Sequence, residues 1–276
     1  MRFSGQRAIV TGASRGIGRA LAVALAEAGA AVACVARTTD ARPGGIEGTL
    51  DGTVRSILER GGSAVGVPAD LSDEDEAVAA VERAADALGG LDMLVNNAAV
   101  AFRGGLDLRR SKWEVMLAVN LRAPWLATLA AAPVMERAGG GRVLNISSVC
   151  ADRVFPGVGA YGISKAALER WSTEAAADLA SRHVAVNLLR IDVAIRSEGI
   201  VASTPQRDFS GWEPVETAAD ACLWMLDHEP GFTGNLVRLD TLLVNGSVRA
   251  RAGGIRSASV RLPQPSPGSR PVVHAV

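Results

Sequence analysis

The amino-acid sequence predicts an α/β protein, built as a doubly wound parallel sheet with helices on both faces in a three-layer arrangement. Short apolar runs alternate along the chain with longer, alanine-rich amphipathic stretches, a pattern typical of buried strands followed by crossover helices. The 276 residues are 48% hydrophobic, so the chain can bury a sizeable core. No linker-like stretch precedes residue 245, which predicts a single domain over 1–244.

The individual elements follow from these runs. The run 7–11 predicts a strand because it is short, apolar and followed by glycines, and 18–28 predicts a helix that ends at Gly29. Acidic residues after Ser72 predict a helix over 74–88, with Ser72 as its cap. The other predicted strands are short apolar runs, at 31–35, 64–67, 93–95, 142–146, 184–189 and 236–239. The other predicted helices are 111–138 and 160–181.

Two segments depart from this alternation. Residues 38–52 contain Pro43, four glycines and mixed charges, and they predict a loop. Residues 245–276 are rich in arginine, proline, serine and glycine and poor in hydrophobic residues, and they predict a mobile C-terminal tail.

Charge and hydropathy disfavour several classes of protein. Lysine plus arginine equals aspartate plus glutamate, 29 against 29, so the chain has no general electrostatic attraction to nucleic acid or anionic membranes. The N-terminal apolar run is too short for a signal-peptide core, and no uninterrupted apolar run approaches membrane-spanning length. We therefore expect no nucleic-acid partner, no membrane association and a cytoplasmic location.

Cysteine and histidine point neither to a disulfide framework nor to a metal. The three cysteines are widely spaced among apolar neighbours and predict buried, reduced thiols: Cys34, Cys150 and Cys222. The histidines are scattered without partners at ligand spacing, and the acidic run 73–76 is a helix start. We predict no metal site.

A glycine-rich turn, TGASRGIG, lies between the first strand and the first helix. Glycines permit a tight turn and let backbone N–H groups approach a phosphate, while the helix N-terminus supplies partial positive charge. The turn therefore predicts a site for the pyrophosphate of a dinucleotide. The residues predicted to bind there are Gly12, Ser14, Arg15, Gly16, Ile17 and Gly18.

The end of the second strand predicts which dinucleotide binds. An acid there would hydrogen-bond a ribose 2′-hydroxyl and favour NAD(H). In this chain Arg37 follows Ala36, and Arg15 lies in the glycine-rich turn, so two cations suit a 2′-phosphate. We predict NADP(H) as the preferred cofactor and NAD(H) as the second candidate; the alternative is that both arginines are ordinary surface residues.

A tyrosine and a lysine stand four residues apart at a helix start. Tyr161 is the one tyrosine of the chain, and Lys165 is one of two lysines. Residues at this spacing share a helix face, with Cβ atoms roughly 5–6 Å apart. A free tyrosine has a pKa of about 10, and a nearby ammonium favours the phenolate, so Lys165 is predicted to lower the pKa of Tyr161 for acid/base catalysis. Lys165 is also predicted to bind the nicotinamide ribose, and Ser148, at a strand end, to hold a substrate oxygen.

Together these motifs resemble those of the short-chain dehydrogenase/reductase family, in its single-domain branch. The resemblance covers about residues 5–243 and includes the TGxxxGxG turn and the YxxxK pair. It also includes Asp70-Leu71 after the third strand and the Asn96-Asn97-Ala98-Ala99 turn after the fourth strand.

The resemblance implies a Rossmann fold and a role for each matching residue. Tyr161 would be the acid/base, Lys165 would lower its pKa and bind ribose, and Ser148 would position the substrate. Asn120 would hold a water in the proton relay. The residues implied on the adenosine side of the cleft are Asp70, Leu71, Asn97, Ala98 and Ala99. Family members usually pair through two long helices, here 111–138 and 160–181, which implies a homodimer or homotetramer.

Three departures from the family pattern bear on the site. Ala99 replaces a usual glycine. Ile191-Asp192 stand where Pro-Gly is common beside the nicotinamide, and an acid there could repel a carboxylate or phosphate. The insertion 38–52 could fold over the 2′-phosphate or be a surface loop.

These observations predict an NADP(H)-dependent oxidoreductase, acting as a ketone or aldehyde reductase or as an alcohol dehydrogenase on a small molecule. The alternative is a non-catalytic dinucleotide-binding sensor or scaffold. The replacement of Pro-Gly by Ile191-Asp192 beside the nicotinamide favours this alternative. The presence of all four residues implied in catalysis disfavours it. An epimerase or dehydratase would need a larger C-terminal domain, and an enoyl thioester reductase a wider tyrosine–lysine gap. The substrate side is expected over 194–213, where the candidate contacts are Arg196, Glu198, Arg207, Phe209 and Trp212.

Overall fold

A seven-stranded parallel sheet forms the middle layer of the protein in the computed structural model, which describes residues 1–252. The strands are β1 (Arg7–Thr11), β2 (Ala31–Ala36), β3 (Ser63–Pro68), β4 (Met93–Asn96), β5 (Gly141–Ser148), β6 (Val184–Ile191), β7 (Ile195–Arg196), β8 (Glu213–Pro214) and β9 (Leu236–Arg238). The α-helices are α1 (Gly16–Glu27), α2 (Leu50–Glu59), α3 (Glu74–Leu88), α4 (Arg110–Leu117), α5 (Ala123–Arg137), α6 (Gly159–Leu179), α7 (Glu198–Ser203), α8 (Val215–Leu226) and α9 (Leu239–Val244). A π-helical turn, Ala118–Arg122, joins α4 to α5.

The order of the strands places a crevice at one edge of the sheet. The order is β3-β2-β1-β4-β5-β6-β9, and every neighbouring pair is parallel, which confirms the predicted doubly wound sheet. Because β1 lies between β2 and β4, the chain leaves the centre of the sheet in opposite directions. In such sheets ligands bind beyond the carboxyl ends of the strands at this reversal.

Helices cover both faces of the sheet. Met93 and Val95 of β4 join the hydrophobic cluster that contains α1, α8 and α9, whereas Leu94 joins the cluster that contains α3, α5 and α6. Successive side chains of a strand point to opposite faces, so a strand covered on both sides has to be apolar throughout. This is why the buried strands appear in the sequence as short continuous apolar runs.

The prediction of a loop over 38–52 is wrong at its end, because α2 begins at Leu50. Thr49 caps this helix, since its hydroxyl accepts a hydrogen bond at 3.0 Å from a backbone N–H of the first turn. The Thr53 hydroxyl donates to the carbonyl of Ala13 at 2.8 Å. This bond holds α2 against the glycine-rich turn.

Helix α3 has the predicted bounds, but its cap is Asp73 and not Ser72. The Asp73 carboxylate accepts a hydrogen bond from the N–H of Glu76 at 3.0 Å. Ser72 lies one residue too early for this role, and its hydroxyl donates instead to the carboxylate of Asp70 at 2.7 Å.

The predicted tail starts with residues that pack on the domain. Val248 is buried in the core, and the N–H of Arg251 donates to the buried carboxylate of Glu213 at 2.9 Å. Residues 245–252 therefore pack on the domain through an apolar side chain and a buried acceptor, and the mobility of the tail stays a prediction. The remainder of the predicted tail, 253–276, lies outside the described residues.

The stretch Arg110–Arg137, from α4 through α5, is long and apolar enough to cross a membrane by length and composition alone. Half of its most apolar window is buried inside the protein, and central helices of a packed core pass the same test.

Candidate active site

A cavity of about 360 Å³ opens beyond the carboxyl ends of the central strands. Most of the predicted site residues line it, namely Gly12, Ser14, Arg15, Gly16, Ile17, Arg37, Asp70, Leu71, Asn97, Ala98, Ala99, Ser148, Tyr161 and Lys165. Gly18 and Asn120 do not line it. The topology therefore brings together residues as far apart in the sequence as Gly12 and Lys165, because parallel strands end at the same edge.

The glycine-rich turn and the turn after β4 form one unit. Gly12 has a φ of +68°, and a Cβ on it would lie 2.8 Å from the Cα of Ala98, so a side chain is excluded. The Thr11 hydroxyl accepts hydrogen bonds from the N–H groups of Asn97 and Ala98 at 3.0 and 3.1 Å. The Asn97 amide donates to the Thr11 carbonyl at 2.9 Å. These bonds hold the floor of the cavity in one conformation.

Gly18 lies behind the turn. A Cβ there would meet both the Asn97 amide nitrogen and the Gly12 carbonyl oxygen at 2.4 Å. Gly18 therefore permits close packing of α1 on the two turns, and its direct contact with a cofactor stays a prediction.

The N-terminus of α1 already binds an anionic group. The N–H of Gly16 donates to a carboxylate oxygen of Glu198 at 2.9 Å, and the first turn of α1 contains no acidic residue. Orphan N–H groups at a helix N-terminus favour negative charge. The Glu198 carboxylate occupies the place of a phosphate oxygen, so the turn fits the pyrophosphate of a dinucleotide.

Two arginines lie at the end of the cavity where the adenosine is expected, and they have different partners. Arg37 pairs with Asp70, with a guanidinium nitrogen 3.3 Å from a carboxylate oxygen, and remains half-exposed. Arg15 donates three hydrogen bonds of 2.8–2.9 Å to backbone carbonyls of residues 46–48. Carbonyl acceptors fix the guanidinium in place without neutralising its charge. The insertion thus packs against the glycine-rich turn at this end of the cavity.

The predicted acid/base residues meet at the opposite end of the cavity. Tyr161 lies in the first turn of α6 and is half-buried, and Ser148 is the last residue of β5. Lys165 is buried, and its Nζ donates to the Ile146 carbonyl at 2.9 Å. The same Nζ lies 5.9 Å from the centroid of the Tyr161 ring.

Burial shifts the pKa values of both members of this pair. Burial lowers the pKa of Lys165 to about 8, and the negative charge of Glu169 partly opposes this. Burial raises the pKa of Tyr161 above its ordinary value; Cys150 adds to the rise, and the Ser148 hydroxyl acts against it. Burial of the phenol is the largest cause of this rise, and the lowering of the Tyr161 pKa by Lys165 stays a prediction.

Asn120 stabilises the backbone around the site through buried hydrogen bonds. It lies in the π-helical turn, is fully buried, and exchanges two hydrogen bonds with the backbone of Val100 at 2.8 and 2.9 Å. Its amide also donates to the Ser164 hydroxyl at 3.0 Å, which in turn donates to the Tyr161 carbonyl at 2.7 Å. Asn120 therefore contacts the first turn of α6 through Ser164 and does not face the cavity.

Asp192 is turned away from the cavity. Its neighbours Ile191 and Val193 line the cavity. The Asp192 carboxylate accepts hydrogen bonds from Arg238 at 2.6 Å and from the N–H of Asp240 at 3.0 Å. Burial raises the pKa of Asp192, and these two bonds oppose the rise. The prediction that this acid could repel an anionic ligand is wrong, because its charge faces Arg238.

The other departures from the family pattern are accommodated locally. Ala99 lines the cavity without strain, since within 1–252 the one non-glycine residue with a positive φ is His183. Cys34 and Cys222 are buried as predicted, but Cys150 is half-buried and lines the cavity. Across 1–252 no group of three or more metal-ligating side chains stands together.

The cavity residues that were not predicted to bind the cofactor or to act in catalysis include Arg103 and Trp212. Arg103 follows the β4 turn and lines the cavity, and Trp212 lines it from the stretch between α7 and β8. Trp212 lies within the segment expected to build the substrate side. Arg103 carries no signal of its own beyond its position shortly after the Asn97 turn.

The fold and the cavity define a Rossmann-type protein with a dinucleotide cleft and a tyrosine–lysine pair at its far end. The family model for short chain dehydrogenases matches residues 6–194, and the chain belongs to this family. It is therefore an oxidoreductase of the kind that acts on alcohol or carbonyl groups with a nicotinamide dinucleotide.

Known proteins similar to this chain agree with that assignment. An uncharacterised oxidoreductase of Methylorubrum extorquens is 33% identical over 260 residues, which cover 92% of this chain and 99% of that protein. A metagenomic short-chain oxidoreductase solved in complex with NADP is 34% identical with a TM-score of 0.72, covering 86% of this chain and 98% of that one. A 7α-hydroxysteroid dehydrogenase solved with NADH and 7-oxo glycochenodeoxycholic acid is 27% identical with a TM-score of 0.76, covering 86% and 93%. Some further relatives are longer, and the match spans 60% of their length.

Proposed function

We propose that the protein is an NADP(H)-dependent reductase of ketones or aldehydes, or the reverse alcohol dehydrogenase, with Tyr161 as its proton-transfer group. One observation carries the proposal: a single cavity has the anion-binding turn and Arg37 at one end and Tyr161, Ser148 and Lys165 at the other. That arrangement fits a dinucleotide that binds across the reversal of the strand order, with its nicotinamide beside the tyrosine.

The proposed roles follow from position and charge. When bound, the dinucleotide supplies or accepts the hydride. Tyr161 donates a proton to the carbonyl oxygen in reduction, and its raised pKa keeps the phenol protonated at neutral pH. Ser148 donates a hydrogen bond to the same oxygen as charge develops on it. Lys165 binds the nicotinamide ribose through its ammonium group, and Asn120 holds the first turn of α6 through Ser164.

The preference for NADP(H) over NAD(H) is proposed from the charges at the adenosine end. Arg37 is half-exposed with one acidic partner, and Arg15 keeps its charge within a frame of carbonyl groups. A 2′-phosphate would offer both guanidinium groups a dianionic partner. The similar structures bind NADP in one case and NADH in the other, so the preference rests on these arginines. No observation favours the non-catalytic alternative, and we do not propose it.

The proposed assembly is a homodimer or homotetramer in the cytoplasm, with no nucleic-acid or membrane partner. Large apolar side chains are exposed on the two long helices, where Trp125 is 43%, Leu129 53% and Ile163 52% exposed. Burying such side chains against a second copy is favourable. Light scattering of the purified protein tests this assembly.

A cofactor titration with Tyr161→Phe tests the proposal. NADPH and NADH are titrated into both proteins while the fluorescence of the nicotinamide is followed, and carbonyl compounds are then screened for oxidation of NADPH. We expect tighter binding of NADPH than of NADH, unchanged binding to the variant, and loss of turnover in the variant. Normal turnover by Tyr161→Phe would contradict the mechanism, and tighter binding of NADH would contradict the cofactor preference.

A further inference from the structure

The catalytic end of the cavity carries a positive charge, Arg103, that is not paired with an acid in the part of the chain that the structure describes. Arg103 lines the cavity, and the N–H of its neighbour Gly104 donates to the carbonyl of Gly157 at 2.9 Å. Gly157 lies four residues before Tyr161, so Arg103 belongs to the catalytic end and not to the adenosine end. It is exposed to solvent at this position.

A second arginine packs on a residue that lines the cavity. Arg207 lies between α7 and β8, and its guanidinium carbon is 5.1 Å from the centroid of the Trp212 ring, which lines the cavity. Phe209 packs edge-on against the same ring, with centroids 5.1 Å apart. Burial lowers the pKa of Arg207, and the positive charge of Arg103 lowers it further.

Neither arginine has an acidic partner among residues 1–252. In the described part of the chain, no carboxylate lies within 4.0 Å of the guanidinium of Arg103 or of Arg207. The acids nearest to them in sequence are engaged elsewhere: Asp107 accepts a hydrogen bond from Gly105, and Asp208 accepts two from Ser210. Asp192, which follows β6, is paired with Arg238.

We propose that the substrate carries an anionic group, such as a carboxylate, at the end remote from its carbonyl, and that Arg103 and Arg207 bind this group. The inference rests on the proposed function and adds the class of its substrate. Opposite charges attract, so an anionic group of the substrate would give each guanidinium the partner that it lacks among the described residues. Guanidinium groups bind carboxylates through two parallel hydrogen bonds, and a cleft lined by one sign of charge attracts ligands of the opposite sign.

The rest of the catalytic end predicts an apolar body for this substrate. The surrounding walls are mainly apolar and are formed by Val100, Ala101, Val149, Val158, Val193 and Trp212. A keto acid with an apolar middle would place its carbonyl beside Tyr161 and its carboxylate between the two arginines. Phe209 and Arg207 hold Trp212 as the cover over that middle part.

Matched pairs of ketones test the inference. Each pair has the same carbonyl and differs in charge: 4-acetylbenzoate against 4-acetylbenzamide, and 4-oxopentanoate against 4-oxopentanamide. We measure kcat/KM with NADPH for the wild type, for Arg103→Gln combined with Arg207→Gln, and for Arg137→Gln. Arg137 ends α5 at the opposite edge of the sheet and is exposed, so this control changes the same charge away from the cavity.

We expect the wild type and Arg137→Gln to prefer the acid by roughly ten- to a hundred-fold, the worth of a charge-assisted hydrogen bond. The double variant should turn over acid and amide alike, at the amide rate of the wild type, which also shows that it is folded. Equal turnover of acid and amide by the wild type, or a preference that survives in the double variant, overturns the inference alone. Failure of the wild type to reduce any of the four ketones overturns the proposed function together with the inference.

Discussion

Replacing Glu198 should strengthen dinucleotide binding. In the structure this carboxylate accepts a hydrogen bond from the N–H of Gly16 and so occupies the place of a phosphate oxygen. A dinucleotide cannot bind there until Glu198 leaves, so the apparent affinity is reduced by the fraction of molecules in which the turn is free. Glu198→Ala removes this internal competitor.

The magnitude follows from the contact itself. A hydrogen bond to a charged group contributes about 1.5–3 kcal/mol, and solvent screening of the half-buried Glu198 reduces this to about 1–2 kcal/mol. A closed state favoured by that amount leaves roughly 3–16% of the molecules open. We therefore expect Glu198→Ala to lower the Kd for NADPH by about 6- to 30-fold. Glu198→Gln should give a smaller gain because its amide oxygen remains a weaker acceptor.

Fluorescence titration with NADPH measures the effect, and titration calorimetry with ADP-ribose checks its origin. ADP-ribose keeps the pyrophosphate and lacks the nicotinamide, so it should show the same gain. Glu216→Ala is the matched control, because Glu216 is an exposed acid in the first turn of α8. An unchanged or higher Kd for Glu198→Ala would refute the reasoning.

Three further predictions concern the site and its support. Burial lowers the pKa of Lys165 to about 8, so its ammonium is lost as the pH rises through that value, and kcat/KM for ketone reduction should fall above it in a pH profile. Asp192→Asn should lower the free energy of unfolding by about 1–3 kcal/mol in a denaturant titration, because its bond to the charged Arg238 is weakened, while the KM for a keto acid stays the same. Gly18→Ala should lower the free energy of unfolding by about 1–3 kcal/mol and weaken NADPH binding, because the new Cβ displaces the Asn97 amide.

Each of these three predictions has an outcome that would contradict it. A profile that stays flat up to pH 10 would contradict the assignment of the alkaline limb to Lys165. A large change in KM for Asp192→Asn would mean that this side chain faces the substrate after all. Gly159→Ala is the control for Gly18→Ala, since a Cβ at Gly159, the first residue of α6, would meet no atom within 4 Å. Equal stability of Gly18→Ala and the wild type would contradict the packing argument.

The sequence predicts those parts of the fold that depend on local pattern. β1 and α3 have the predicted bounds, because a short apolar run and an acidic helix start are local signals. Helix α2 was not predicted, because it contains Gly52 and its cap, Thr49, follows a glycine-rich loop. The bond from Thr53 to Ala13 stabilises this helix, and no local pattern reveals a contact across 40 residues.

Within the site, too, some features can be predicted from local sequence and others cannot. Tyr161, Ser148 and the glycine-rich turn could be predicted because they stand at strand ends or at a helix start, where parallel topology brings side chains together. The direction of Asp192 could not be predicted, because it depends on Arg238, 46 positions later. The pKa of Tyr161 depends on how much water reaches the phenol, which spacing alone does not give.

The hydrogen bonds from Arg15 to the insertion have a consequence for protein engineering. The Arg15 guanidinium donates hydrogen bonds to three consecutive carbonyl groups. The residue proposed to attract a 2′-phosphate therefore also holds a surface loop in place. Replacing it to change the cofactor would release the loop as well, and two traits would change at once. A redesign toward NADH should begin at Arg37, whose one ion pair within the described residues lies at the surface. The shape of the loop and the choice of cofactor are thus tied together in this chain, and an evolving lineage would tend to keep or lose them as a pair.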